Sequence, residues 1–462
     1  MRSQIPLVSV LILATAALPL SAAIVGMTPP ALSLTAERVA ATLPADQQTA
    51  WLDYLARSEQ ARQADHAFVA AELKAAGLEK PIMPREGRPG MSLRQPDDWY
   101  GKPEAVHSAD VIVSYQMPNG AWGKNLNMTQ HIRQPGESFI CDNLSRYLQP
   151  GDYDQPKDNY WNYFGTLDND CTTTQIRFLA KVITAVGPER SAAYRAAFLR
   201  GVEYLFNSQY PNGGWPQVWP LEGGYHDAIT FNDDAVTQAI EVLQGIVEGT
   251  GMYAFTSEDL RRRAAPRVAK GFACILACQI RANGHPTAWC QQHDALTLAP
   301  TSARNFEPAV ACGDESSNVV EFLMTVPNPS PEIIASVHAA AAWFRKVAIH
   351  DEVWSRGRGG FGGGRAPGAA AGPGAPATPS PRPAPTPTHL VPTPGAPLLW
   401  ARYYEIGTDR PVFGDRDKTM HDKVEELSLE RQRGYNWYNS GPQKMLETYA
   451  TWSAAHPAPP SI

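Results

Sequence analysis

A short motif recurs three times along this chain, and it limits the folds open to it. Gln116-MP-Asn119-Gly120-A-Trp122 is matched by Gln209-YP-Asn212-Gly213-G-Trp215. A looser copy runs Gln279-IRA-Asn283-Gly284-HPTA-Trp289. Asn-Gly alone is a common turn, but Gln and Trp at matched offsets make these turns equivalent. The second and third copies follow helical stretches. Recurring helix–loop units with the same loop chemistry imply helical hairpins set around an axis, with equivalent loops on one face.

Between the turns the apolar residues keep a helical period. Ile176, Leu179, Ile183 and Val186 recur at i, i+3, i+7 and i+10, and Gly187 is placed to stop the helix. Val236, Ile240, Leu243 and Val247 repeat the pattern, and a period of two is nearly absent. The expected fold is all-α: an (α/α) barrel or toroid of helical hairpins with long functional loops.

Three segments fall outside this scheme. MRSQ followed by IPLVSVLILATAALPLSAA makes residues 1–23 a cleaved export signal, giving a secreted or periplasmic protein. Residues 24–100 read as an N-terminal helical segment packed on a main domain of residues 101–452. Residues 357–396 are Gly/Pro/Ala-rich, cannot bury enough apolar surface to fold, and read as a disordered insertion. The net charge of −6 disfavours a nucleic-acid partner. The six cysteines form no CxxC pair; some could pair after export, and buried free thiols are the alternative.

Four clusters carry chemistry. Asp168-Asn169-Asp170 and Asn232-Asp233-Asp234 each precede a helix. Such acids are often N-caps, but one cap per helix suffices, and the surplus oxygen groups suit Ca²⁺. His293, Asp294, Arg304 and Glu307 form a third cluster, and Arg402, Arg410, Arg416 and Lys418 a fourth. Cations among aromatics serve either structural cation–π pairs or the grip of sugar carboxylates. Trp122, Trp215 and Trp289 can stack on sugar rings or fill the core. No GxSxG, Walker A or HExxH motif is present.

Taken together, NGAWGKN, TLDNDCTTTQIRFLAKV, QYPNGGWPQVWPLEGGYHDAITFNDDAV, TAWCQQHD, ARNFEPA and LWARYYEIGTDRPVFGDRD resemble the family-ten pectate lyases, in the family's order. The resemblance implies calcium-assisted β-elimination of polygalacturonate by a monomer. It implies Arg416 as the base, Arg304 and Arg402 as carboxylate grips with Lys124 a further contact, and Asp168 with Asp233 or Asp234 at the calcium; Asn125 and, from its place in the repeated loop, Trp215 are further candidate substrate contacts. Ala277 stands where a lysine is frequent in the family, which removes one potential cation. Two other classes stay open: an inverting glycoside hydrolase using Asp168 and Asp233, and a non-catalytic pectin-binding protein.

Overall fold

A computed structural model describes residues 23–355 and 388–459. The signal expected at 1–23 lies outside the described residues but for its last position. Eleven α-helices occur among the described residues: α1 (Ala36–Thr42), α2 (Ala45–Ala76), α3 (Pro103–Ser114), α4 (Thr173–Val186), α5 (Ala192–Ser208), α6 (Ala235–Glu248), α7 (Glu258–Cys278), α8 (Gly313–Met324), α9 (Pro331–Lys346), α10 (Leu429–Gly434) and α11 (Gly441–Ala455). The periodic residues do what their spacing requires. Ile176, Leu179 and Ile183 on α4, and Val236, Ile240 and Leu243 on α6, are buried. Helix α4 packs on α3, α5 and α6, α6 on α7, and α8 on α9 and α11. No described helix is long and apolar enough to cross a membrane.

The repeated motif turns out to be a fastener. Trp122, Trp215 and Trp289 are fully buried. Each donates its indole N–H to a carbonyl of the helix before it: Trp122 to Ile112 at 2.7 Å, Trp215 to Leu205 at 2.8 Å and Trp289 to Ile275 at 2.7 Å. Each glutamine bridges its own turn to a helix further on. Gln116 donates to Gly120 and Ala197, Gln209 to Gly213 and Arg267, and Gln279 to Thr287 and Ser336. The glycines are obligatory where the turn meets that helix. A Cβ at Gly120 would lie 2.3 Å from the Arg200 carbonyl oxygen, and one at Gly213 would lie 2.1 Å from that of Lys270; φ is +97° at both. Trp400 donates to the Phe344 carbonyl at 2.9 Å in the same way, without a recognisable Asn-Gly turn.

Small sheets join the loops these fasteners position. Ile229–Thr230 pairs with Gln292–His293, which pairs with Pro300–Thr301, and Ala311–Cys312 pairs with Tyr403–Tyr404. Strands of two to four residues are too short to leave a period-two signal, so the sequence reads as all-α while the loops are stitched by β pairing. Helix α2 docks through one stripe, Trp51, Tyr54, Ser58 and Asp65, with the Tyr54 hydroxyl donating to the Ser208 carbonyl at 3.0 Å. All six cysteines are buried and unpaired.

One boundary needs correction. Most of the insertion expected over 357–396 lies outside the described residues, but its end is ordered. His389–Pro392 pairs antiparallel with Glu352–Ser355, Ser355 opposite His389, and Thr388 is buried. Replacing residues 357–387 by a four-residue turn is therefore expected to leave the melting temperature within about 3 °C, since closure cost varies slowly with loop length. Removing residues 388–396 as well should lower it further. The fastener gives a second expectation. Gln209→Ala strips one buried and one partly buried carbonyl of their donor and should cost about 1–3 kcal/mol in urea unfolding; a loss under about 0.5 kcal/mol would contradict the bridging role.

Candidate active site

The loops ahead of α4 and α6 bring the acids together. Consecutive residues in both adopt left-handed backbone, with φ of 53° at Asn169, 59° at Asp170, 51° at Asp233 and 58° at Asp234. Non-glycine residues rarely do so, and clusters of them mark sites that the surroundings hold in place. The capping alternative fails: the N-cap residues are Thr172 and Asp234, and neither makes a side-chain cap.

Asp168 is the centre of the constellation. It is 5% exposed, forms an ion pair with Lys124, and accepts from Gln217 Nε2 at 2.7 Å. The Lys124 ammonium also sits 3.4 Å from the centre of the Tyr163 ring. Asn169 ties the two loops together. Its backbone N–H donates to Asp233 at 3.1 Å, and its side-chain amide donates to Asn125 at 3.1 Å. The Asn169 N–H thus sets Asp233 beside the loop that carries Asp168, and the two carboxyl groups act on each other electrostatically. Burial opposes charge on Asp168, but Lys124 and the hydrogen bonds around it hold the carboxyl below its ordinary value. Burial, and then the charge of Asp168, push Asp233 well above the carboxylate range. The surroundings thus favour charge on Asp168 and disfavour it on Asp233.

Two cavities open beside these two acids. One, of about 260 Å³, is lined by Lys124, Asn125, Tyr163 and Arg304. The other, of about 400 Å³, is lined by Asp233, Asp234, Asp314 and Glu315 together with asparagines, and Arg402 is its cation. Each arginine is anchored by acids. Arg304 Nε and Nη2 donate to Glu307 at 2.8 and 2.5 Å, and the Tyr435 hydroxyl donates to the same carboxylate at 2.6 Å. Burial would raise the Glu307 carboxyl, but Arg304 and Tyr435 outweigh it and hold it down at about 2. The grip leaves Nη1 of Arg304 unused, and its side chain is 38% exposed. Arg402 reaches Asp314 at 3.1 Å and Glu315 at 2.6 Å. Burial raises Asp234 to about 6, against the hydrogen bond from Asn318.

Arg416 stands one layer back. Its guanidinium holds Glu430 at 2.7 Å and lies over Tyr147 and Phe306. Its carbonyl accepts from Asn305 at 2.6 Å, so it braces the loop carrying Arg304. It does not line either cavity. Trp215 cannot contact a ligand: it is fully buried beneath its turn, so its expected place beside a sugar ring is overturned. Neither sequence-adjacent pair, His226–Asp227 or His293–Asp294, forms a dyad. His293 accepts from the Cys290 N–H and donates to the Leu298 carbonyl, while Asp227 accepts from Leu34 and Gly223. Sequence reasoning grouped Glu307 with Arg304 but missed Gln217, Asp314 and Glu315 as site partners, none of which gave a local signal.

A helical body whose loops set carboxylates, amides and guanidinium groups around one cleft defines a protein that handles an acidic polysaccharide, and the comparisons make it a polysaccharide lyase. The model of the pectic acid lyase family matches residues 116–358 and 379–446, and the chain belongs to that family; it is a pectate lyase. A solved family 10 polysaccharide lyase from Cellvibrio cellulosa is 30% identical with a TM-score of 0.59, over 79% of this chain and 98% of that one. An aspartate-to-alanine mutant of a family 10 lyase from the same organism, in complex with trigalacturonic acid, is 29% identical with a TM-score of 0.58, over 78% and 96%. Among curated proteins there is no match.

The acid pair yields a pH-dependent prediction. The Asp233 carboxyl is raised in the folded chain, so its contribution to stability is complete below its unfolded value and is lost as pH climbs through the folded one. In metal-free buffer, the stability of Asp233→Asn relative to wild type should therefore rise between pH 5 and pH 9, by about 1 kcal/mol or more. An unchanged difference in melting temperature at the two pH values would show that the Asp233 carboxyl is not raised.

Proposed function

We propose that the chain cleaves α-1,4-polygalacturonate by calcium-assisted β-elimination, using an arginine as base. The observation that carries this reading is the acid pair Asp168 and Asp233 set between two guanidinium groups, Arg304 and Arg402. The donor set suits calcium in kind, being hard oxygen from carboxylates and amides. It is incomplete in number, because no group of three or more His, Cys, Asp or Glu among the described residues could hold a metal. Asp168 and Asp233 would hold the ion, with Asp234 on the adjoining wall, and substrate carboxylates would complete its shell. Bound calcium would supply charge neutralisation as the proton α to the sugar carboxylate is lost.

The chain's own groups divide the remaining work. Lys124 offsets the charge of Asp168 and, with Asn125, lines the cavity wall. Arg402 offers a guanidinium to a substrate carboxylate on the far side. We place the base at Arg304 rather than at Arg416, where the family resemblance puts it. Arg304 opens on the cavity with Lys124, and its charge acts on Asp168. An arginine base must lose a proton that Glu307 helps it keep, so cations beside it are part of the mechanism and the rate should rise with pH above 7. The C5 proton passes to Nη1 of the neutral Arg304 guanidine, the C–H electron pair forms the C4–C5 double bond as the C4–O bond breaks, and the departing oxygen takes a proton from solvent, so the product carries an unsaturated end.

The same reading takes residues 101–452 as the catalytic domain, its hairpins as an (α/α) toroid, and the protein as an exported monomer. The test is turnover of polygalacturonate, followed by ultraviolet absorbance of unsaturated ends with and without chelator. Arg304→Lys is expected to lose about 10³-fold or more in kcat, the scale of a lost catalytic group, and Arg416→Lys far less. The reverse order would return the base to Arg416. Full activity in chelator would remove calcium, and binding without turnover would make the protein a pectin-binding one.

A further inference from the structure

Behind the catalytic cleft lies a cavity that the proposed reaction does not use. It measures about 650 Å³, within the range of about 300–1,000 Å³ typical of small-molecule sites. Residues 153–163 are the partition between the two spaces. Tyr153, Lys157 and Trp161 line the rear cavity, whereas Asp154, Asn162 and Tyr163 line the one that holds Arg304. The opposite wall is α2, through Arg62, Asp65 and His66. The family match begins only at residue 116, so that wall is not part of the matched region.

Two features of this cavity point to a ligand. The first is unmet hydrogen bonding. His226 Nε2 and Asp65 Oδ1 are buried without a partner, on residues only 7% and 2% exposed, and both residues line the cavity. Buried polar atoms in native proteins are nearly always satisfied. A sugar hydroxyl both donates and accepts, so it can satisfy either atom whatever its protonation. The second is charge at the rim. Arg62 and Lys157 are both exposed there, Arg62 holding Glu59 through Nε and Nη2 at 2.8 and 2.7 Å. Asp158 shares the rim and Glu222 lies within, but Glu222 is committed to the Tyr163 N–H at 2.8 Å.

We propose that this rear cavity is a second binding site for a galacturonate-type acidic sugar, its hydroxyls meeting His226 and Asp65 and its carboxylate meeting Arg62 and Lys157. The inference rests on the polygalacturonate reading above. The test titrates trigalacturonic acid calorimetrically into Arg304→Ala, a cleavage-impaired background, and into the same chain carrying Arg62→Ala and Lys157→Ala. Both added changes are on exposed side chains, and circular dichroism checks their fold. The added pair should remove one sugar site per chain. In the active background it should raise KM for long polygalacturonate about fivefold or more. An identical titration with and without the pair overturns the second site. Wild-type turnover measured alongside separates the failures. Unsaturated products with an unchanged titration sink this site alone, while neither products nor binding sinks the polygalacturonate reading and the site together.

Discussion

The structure depends on a repeated hydrogen bond between a buried indole and a helix carbonyl. Trp122, Trp215, Trp289 and Trp400 each make it. A tryptophan N–H taken out of water must find an acceptor, and the end of a helix has spare carbonyls to offer. The indole therefore pins its turn to the helix it follows, and the neighbouring glutamine pins the same turn to the next hairpin. Loops held at both ends can be long without being mobile. That constraint lets residues as far apart in sequence as Lys124 and Asp168, or Asn169 and Asp233, meet at hydrogen-bonding distance.

What those loops carry is electrostatically unfinished. Asp168 has an ammonium partner, whereas Asp233 faces Asp168 without one of its own. Left-handed backbone at Asn169, Asp170, Asp233 and Asp234 adds local strain that capping does not explain. Both costs fall on the residues a pectate lyase would turn toward a cation and an anionic sugar. Around them the arginines are anchored by Glu307, Glu315 and Glu430. They are held in fixed orientation before substrate arrives, so less ordering is left for binding to supply.

Much of this was legible in the sequence, for identifiable reasons. Helices α4 and α6 were readable because a 3.6-residue period survives in one face. The acids of the site were readable because they exceed what caps require. The tryptophans misled because an aromatic ring suits a core and a sugar platform equally, and only burial decides between them. The acid partners of the arginines were mostly hidden: Glu430 lies 14 residues beyond Arg416, and Asp314 and Glu315 lie nearly ninety before Arg402. The end of the low-complexity stretch misled because composition cannot show that His389–Pro392 has a waiting partner in Glu352–Ser355. The rear cavity left no trace, since α2 meets the 153–161 and 220–226 loops only in three dimensions.

The central claim is that Asp168 and Asp233 form the floor of the reacting site. A crystal structure of the Arg304→Ala variant with trigalacturonic acid and calcium tests it most directly. The account predicts a calcium ion shared by Asp233 and a sugar carboxylate beside Asp168, with a second carboxylate at Arg402. Sugar and calcium bound elsewhere, with the two aspartates still facing only each other, would contradict it.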